Sequence, residues 1–460
     1  MPIDPSTAYG QAFAALAARL TAKRERLDLL ASYHDGNPPL PEGAAGMRQA
    51  YQRFQQKSRT NYAELIVEAT RERMIPNGFT TSQEQDPEGD ALAWQYWTAN
   101  ALEVGSADVH SNMLGLGDGY TIVGGVDPDT GVPNITSEDP RQVITRHDPT
   151  RPRVVTVALK AFTDEWTGQD TAYLYTPGQV LVATRDTRDA QSALLADLST
   201  WSWSADRSFV FPHKIVPVVR FQNRRGYAEF ETHIDLLNRI NLTILQRLVI
   251  TAMQAYRQRA LKKDPKADAK AVMPTHDDEG NEIDYNALFA PGPGALWDLP
   301  PGVELWESEQ AQFSDILSAV KDDVRELAAV TRTPVGYLIP EGANQSAEGA
   351  AAMREGLVFK AEDRIARAKA SWEQTLSIAF RFAGDDSRAN LAQLKSHFRD
   401  PQRYSLTEMA DAAVKATDLP LDERLVSIWG KSPADLPGLR AQRSADLLEQ
   451  AAVAGVNRGA

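Results

Sequence analysis

The chain contains no cysteine, which excludes disulfides and thiolate metal sites and suits assembly in a reducing cytoplasm. Histidine is scarce, with seven in 460 residues, and no His-Glu-x-x-His pair marks a zinc-protease helix. Long apolar runs are missing too: charges interrupt every stretch approaching the ~18 apolar residues of a membrane span. The opening MPIDPSTAYG has no basic stretch followed by an apolar one, so no secretion signal is expected. Without a Gly-x-x-x-x-Gly-Lys loop the chain is not an ATP motor of the usual kind. Basic charge is in deficit: 49 Lys and Arg face 62 Asp and Glu, a net charge of −13. Ordinary nucleic-acid binding relies on Lys and Arg neutralising phosphates, so it is disfavoured. An acidic wall is compatible with DNA that must slide freely, and plain solubility is the simpler reading.

What is present is a mixed chain, 42% apolar and 24% charged, long enough for two to four domains. A first helix is expected over about Thr7 to Tyr33, with Phe13, Leu16, Leu20, Leu27 and Leu30 at helical spacing. The turn-rich stretch from His34 to Pro39 ends it. A second spans Tyr62 to Met74, striped by Leu65, Ile66, Ala69 and Met74, and a third Trp94 to His110. From Gly119 to Phe221 short β-branched and aromatic runs predict an antiparallel or mixed sheet: Tyr120–Val123, Arg153–Leu159, Ala172–Tyr175, Val180–Ala183 and Val216–Val219. The segment Gly115-Leu116-Gly117-Asp118-Gly119 lacks dinucleotide spacing and precedes a strand, so it reads as a backbone turn. Trp94 and Trp97 read as core, and Trp201 with Trp203 as one strand face in a core or interface.

A long amphipathic helix is expected from Glu229 to Lys262, about 50 Å of rod. It carries Phe230, Ile234, Leu237, Ile244, Leu248, Ala252 and Ala255 on one face, widened by Leu236, Ile240 and Val249. Asp264-Pro265 stops it, and a Pro/Gly-rich excursion runs to about Trp306, an unusual length of loop for a compact domain. A helix follows over Gln310 to Val330, closed by Thr333-Pro334. The polar segment to Gln345, with Gly336, Pro340 and Gly342, is where mobile function tends to sit. Ser346 is placed to cap the next helix, which reaches about Ala383. The remainder reads as two or three small helices separated by prolines. Helices this long are hard to bury in one small domain and suit packing against copies of the same chain.

Two charged groups have both a plain and a functional reading. Asp277, Asp278, Glu279, Glu282 and Asp284, near His276, form a turn-like acidic tip, and their spacing does not match a calcium loop. A metal-dependent hydrolase using the Asp277–Asp284 carboxylates is the enzymatic alternative, and a scaffold oligomer without nucleic acid a second. Arg257, Arg259, Lys262 and Lys263 either complement a helix C-terminus or form a positive collar facing nucleic acid.

Several segments follow one another in a distinctive order. The first helix runs into Tyr33-x-Asp35-Gly36, then Asn61-Tyr62-Ala63-x-x-Ile66-Val67-Glu68 with Glu72-Arg73-Met74. Trp97-x-x-Asn100-x-Leu102 leads on to Gly119–Val123. Thr331-x-Thr333-Pro334 with Leu338 precedes Asn344-Gln345-Ser346-Ala347-Glu348. Asp411–Lys415 and Leu425–Gly430 complete the set. In order and spacing these segments resemble the portal proteins, or head-to-tail connectors, of tailed double-stranded DNA phages with long non-contractile tails. The resemblance covers most of the chain, with no catalytic signature among the motifs.

The resemblance implies an α+β, predominantly helical subunit that assembles into a ring with a central channel, of about twelve copies. It divides the chain into a wing (1–228), a first stem helix (229–263), a clip (264–309) and a second stem helix (310–332). A tunnel loop (333–345), a long helix (346–383) and a crown (384–460) follow. Tyr337, Glu341, Asn344 and Gln345 would face the DNA, and the loop's lack of Lys or Arg argues for steric or hydrogen-bonded contact. Arg257, Arg259, Lys262 and Lys263 would form the basic collar, and Asp277, Asp278, Glu279 and Trp297 the clip's docking surface. Implied partners are double-stranded DNA read without sequence specificity, the terminase large subunit, the capsid or scaffolding protein and a head–tail adaptor. The implied place is the capsid vertex of a virion assembled in host cytoplasm. No enzyme activity, cofactor, metal or membrane is implied.

Overall fold

The computed structural model describes the chain except residues 42–48, 83–88, 187–193, 196, 256–258, 264–275, 277–278, 281, 283–302, 308–312, 340–346, 403, 405, 432–435 and 457–460. It divides into two compact units. The first comprises Met1–Pro39, Asn61–Ile234 and Leu327–Ala460, the second Leu40–Thr60 and Asp235–Glu326.

The first unit is built on a five-stranded antiparallel sheet, ordered β4 (Val143–His147), β5 (Val155–Asp164), β6 (Gln169–Thr176), β7 (Gln179–Asp186) and β8 (Ser202–Val210). Alternation along the strands supplies both faces. On one, Val157, Leu159, Ala161, Ala172 and Leu174 meet Phe13, Leu16, Ala17 and Leu20 of α1 (Ala8–His34). The Thr7 hydroxyl caps α1 by accepting from the Gly10 amide at 3.1 Å. Trp201 and Trp203 both pack on Phe13, with ring centroids 5.8 and 5.6 Å away. On the other face Val155, Ala158, Tyr175 and Val180 meet Tyr120, Ile122 and Val218. Those last residues belong to a second antiparallel sheet of β3 (Pro133–Glu138), β2 (Asp118–Val126) and β9 (Val218–Gln222).

Behind that second sheet runs a 36-residue helix, Ala347–Phe382, whose Trp372 is fully buried against Trp97 and Phe221. The Trp372 indole N–H donates to His110 Nε2 at 2.9 Å. Leu357, Ile365, Leu376 and Ile378 of the same helix are all buried. A short antiparallel pair, β1 (Pro76–Thr80) with β12 (Lys395–Phe398), closes this side.

Several expectations need adjusting. The second helix, α3 (Tyr62–Arg71), exposes Leu65 and buries Val67. The expected third helix is two, α4 (Ala91–Ala99) and α5 (Leu102–Leu116), broken where Ala101 takes φ 50°. The Asn100 amide explains the break: it donates to the Tyr96 and Pro133 carbonyls and accepts from the Ile135 amide at 2.8 Å. The glycine turn is as expected. Gly117 has φ 89°, and a Cβ there would sit 2.3 Å from the Gly226 carbonyl oxygen. Strands β1, β3, β4 and β12 were not anticipated, and β8 only at its start, where Trp201 and Trp203 were placed on a strand.

In the second unit lie α2 (Gln49–Lys57) and nearly all of α6 (Ile234–Ala255). Asn241 is buried and its Oδ1 accepts from the Thr60 amide and hydroxyl at 3.1 and 2.8 Å. The helix stops at Ala255, short of Lys262, and Arg259–Lys263 form β10, antiparallel to β11 (Val303–Glu307). In the strand register Arg259 stands opposite Glu307 and Lys262 opposite Glu304. The returning helix, α7 (Phe313–Thr331), is exposed at Leu317 and buried at Val324 and Leu327. Arg239 pairs with Asp323 at 3.1 Å and with Glu326.

After α7 come a single turn, α8 (Val335–Leu338), and the long helix, α9 (Ala347–Phe382). The C-terminal region holds α10 (Leu406–Lys415), α11 (Leu421–Ser427) and a longer α12 (Leu436–Val456). Among the described residues no helix is long and apolar enough to cross a membrane.

Candidate functional site

The roots of the two long helices meet on α9. Glu229 lies five residues before α6, Thr331 is the last residue of α7, and Lys360 and Arg364 stand one turn apart on α9. Arg364 Nε donates to Glu229 Oε1 at 2.6 Å and its Nη2 to Oε2 at 3.3 Å, with both side chains almost wholly buried. Asn223 Nδ2 adds a bond to the same Glu229 oxygen at 3.0 Å. Lys360 Nζ donates to the Thr331 carbonyl at 2.9 Å, satisfying one of the free acceptors at a helix C-terminus.

Electrostatics follow from that burial. Desolvation pushes the Lys360 ammonium down to about 8, against the attraction of Glu229. Burial works to raise Glu229, but the Arg364 hydrogen bond and the Lys360 charge outweigh it and hold the carboxyl below its usual range. The chain end of α7 is fixed by hydroxyls. Thr331 Oγ1 donates to the Leu327 carbonyl at 2.7 Å and bonds Thr333 Oγ1 at 3.0 Å, while the Thr333 amide reaches Ala328. Between them Arg332 is forced into the left-handed region at φ 54°. These contacts give the Thr331-x-Thr333-Pro334 pattern a physical role: they turn the chain sharply into the segment that follows.

These groups line a cleft of about 680 Å³. It carries six Arg and Lys side chains against two carboxylates, Glu229 and Asp363. Arg367 and Arg364 both pair with Asp363.

Of the residues singled out from sequence, Tyr337 lies on α8, partly exposed, with Arg73 Nη2 3.5 Å from its hydroxyl. Arg73 is itself buried and also donates to the Pro401 carbonyl. Glu341, Asn344 and Gln345 lie outside the described residues, as do Arg257, Asp277, Asp278, Asp284 and Trp297. Arg259, Lys262 and Lys263 fall on β10. Glu279 is exposed in a turn, and His276 and Glu282 form an isolated antiparallel bridge. The sequence reading missed Lys360 and Arg364 as anchors. Their four-residue spacing was visible, but Glu229 is 135 positions away.

The groups converge on backbone and on one another. A model of the family described as "Phage portal protein, SPP1 Gp6-like" matches residues 14–426, and the chain belongs to that family. Its function is the family's: the capsid-vertex channel through which phage DNA passes. The portal protein of Mycobacterium phage L5 is 25% identical over 84% of this chain and 77% of its own. That of Mycobacterium phage D29 is 25% identical over 77% and 71%. A solved chain from the virion of a native gene transfer agent particle superposes with TM-score 0.43 at 14% identity, covering 87% of this chain and 98% of that one. Membership in a structural, non-enzymatic family leaves the hydrolase and scaffold alternatives without support.

Proposed function

We propose that copies of this chain stand side by side as a ring of about twelve. Residues 1–228 are its wing, the two helices around 229–263 and 310–332 its stem, 264–309 the clip and 384–460 the crown. The observation that carries this reading is the β10–β11 pairing between the two long helices, from Arg259↔Glu307 to Lys263↔Val303. It brings the excursion out and back at one point, as a clip projecting from a stem requires. Partial burial supports it too: Leu317 on α7 is exposed and Leu248 and Val249 on α6 are only half covered, apolar surface that a neighbouring copy would bury.

In this reading the clip receives the terminase large subunit during packaging and a head–tail adaptor afterwards, and the wing meets the capsid or scaffolding protein. The tunnel loop (333–345), with Tyr337, Glu341, Asn344 and Gln345, meets the DNA through steric or hydrogen-bonded contact. The clip docks through Asp277, Asp278, Glu279 and Trp297, and Arg257, Arg259, Lys262 and Lys263 form the basic collar at the end of the first stem segment. Native mass measurement and negative-stain imaging of the purified full chain test the assembly. A closed ring with a central hole is expected, and a compact monomer at all concentrations would refute it.

A further inference from the structure

We propose that the cationic cleft at the helix roots is an inter-subunit socket that receives a carboxylate-bearing surface of a second copy of this chain. The proposal rests on the ring reading above and goes further by assigning residues to the contact. Three arginines at the cleft, Arg224, Arg225 and Arg332, are exposed, and their side chains have no hydrogen-bond or ion-pair partner among the described residues. Two of them, Arg225 and Arg332, hold left-handed backbone at φ 59° and 54°, and only two other non-glycine residues are known to do so among the described residues. Such backbone costs free energy and tends to persist where function needs it. Here it sets two unpaired guanidinium groups on one cleft from segments more than a hundred residues apart.

The chemistry of the occupant follows from what surrounds those cations. Guanidinium groups recognise carboxylate or phosphate in a planar fork. Phe359 is 57% exposed, Val330 46% and Tyr227 46%, all lining the same cleft. Apolar and aromatic side chains interleaved with arginine characterise protein–protein contacts. A phosphate-backbone site would have no use for exposed Phe and Val, and Glu229 and Asp363 are already taken up by Arg364 and Arg367. The chain's net charge of −13 supplies the complement: a neighbour offers carboxylates in excess, and a local positive surplus on an acidic protein directs like copies into one register. The cleft also adjoins Val330 and Thr331, the end of a helix that the ring reading places against neighbours, so socket and stem would form one continuous contact.

The test uses the full chain with Arg224→Glu, Arg225→Glu and Arg332→Glu combined, and separately Phe359→Ser. Circular dichroism and thermal melting of the monomer report whether each variant is folded. Native mass spectrometry across a protein dilution series and a sodium chloride series reports assembly. The triple variant is expected to need at least tenfold more protein to form rings, and wild-type rings should dissociate as salt rises. Phe359→Ser, which leaves every charge in place, should weaken assembly with an unchanged salt dependence. Variant rings of the same mass at the same protein and salt concentrations overturn the socket while leaving the ring reading intact. A wild-type chain that never assembles overturns both. Normal assembly of the triple variant with loss of DNA from filled particles would assign the cleft to nucleic acid and likewise overturn the proposal.

Discussion

At the scale of single residues, stability should concentrate in two buried polar pairs. Glu229 and Arg364 are each almost fully covered, and removing one partner of such a pair leaves an uncompensated charge in a poorly polarisable site. Arg364→Leu is therefore expected to destabilise the chain by about 3–5 kcal/mol. Glu229→Gln combined with Arg364→Leu should recover a good part of that loss. A double-mutant cycle by denaturant unfolding measures the coupling, and additive losses would show that the two groups act independently. The second pair is His110 with Trp372. Burial holds the His110 imidazole down at about 3, and its unprotonated Nε2 accepts from the indole.

The pH consequence has a definite sign. In the unfolded chain this histidine takes up a proton near pH 6.5, in the folded chain only near 3. Between those values the unfolded state binds more protons, so stability is lost as the pH falls from 6.5 toward 3. His110→Gln removes that contribution while keeping an acceptor. The melting-temperature gap between wild type and His110→Gln should narrow as the pH drops from 7 to 4, whereas parallel curves would show that His110 does not titrate as described. None of these partnerships was legible in the sequence, since each joins residues more than a hundred positions apart. Thr331, Thr333 and Pro334 were legible as a helix end, but not the hydroxyl bonds that make that end rigid.

At the scale of elements, what the sequence made plain was periodicity. Phe13, Leu16, Leu20, Leu27 and Leu30 all lie buried on α1 as their spacing demands, and the strands around Tyr120, Leu159, Leu174 and Val182 were recognisable as β-branched or aromatic runs. Polar edge strands were harder to see. β3 is PNITSE, and β8, recognised only at its start, is SWSADRSFV, each at the margin of its sheet, so neither shows an apolar run. The end of α6 was misplaced for a different reason. Its basic residues look like a helix terminus when read locally, and the strand they form is completed by the remote β11, some forty positions on. The C-terminal helices α10 and α11 are amphipathic yet bury no residue of their own, and Leu406 and Val414 are more than 70% exposed. In the ring proposed above, a neighbouring copy would cover these side chains.

At the scale of the whole molecule, holding DNA and letting it move are opposed demands on a channel. A net charge of −13 disfavours phosphate binding by the chain as a whole, and the tunnel-loop reading proposed above puts the restraint at the segment after Pro334. It starts from the anchored junction where Lys360 holds the Thr331 carbonyl, and α8 is pinned by buried Leu338 and by the contact of Arg73 with Tyr337. If this segment is the tunnel loop proposed above, contact with DNA there would be passed to the junction that Lys360 makes on α9. Replacing residues 340–345 by a Gly-Ser linker leaves Leu338, Thr331 and Lys360 in place, so ring assembly is expected to survive unchanged in mass and yield. Particles carrying the replaced loop should package less DNA or lose it after packaging, read as the ratio of filled to empty capsids and as nuclease-protected DNA per particle. If those particles fill and retain DNA as wild type does, the loop has no part in gating, and the restraint must lie elsewhere along the channel.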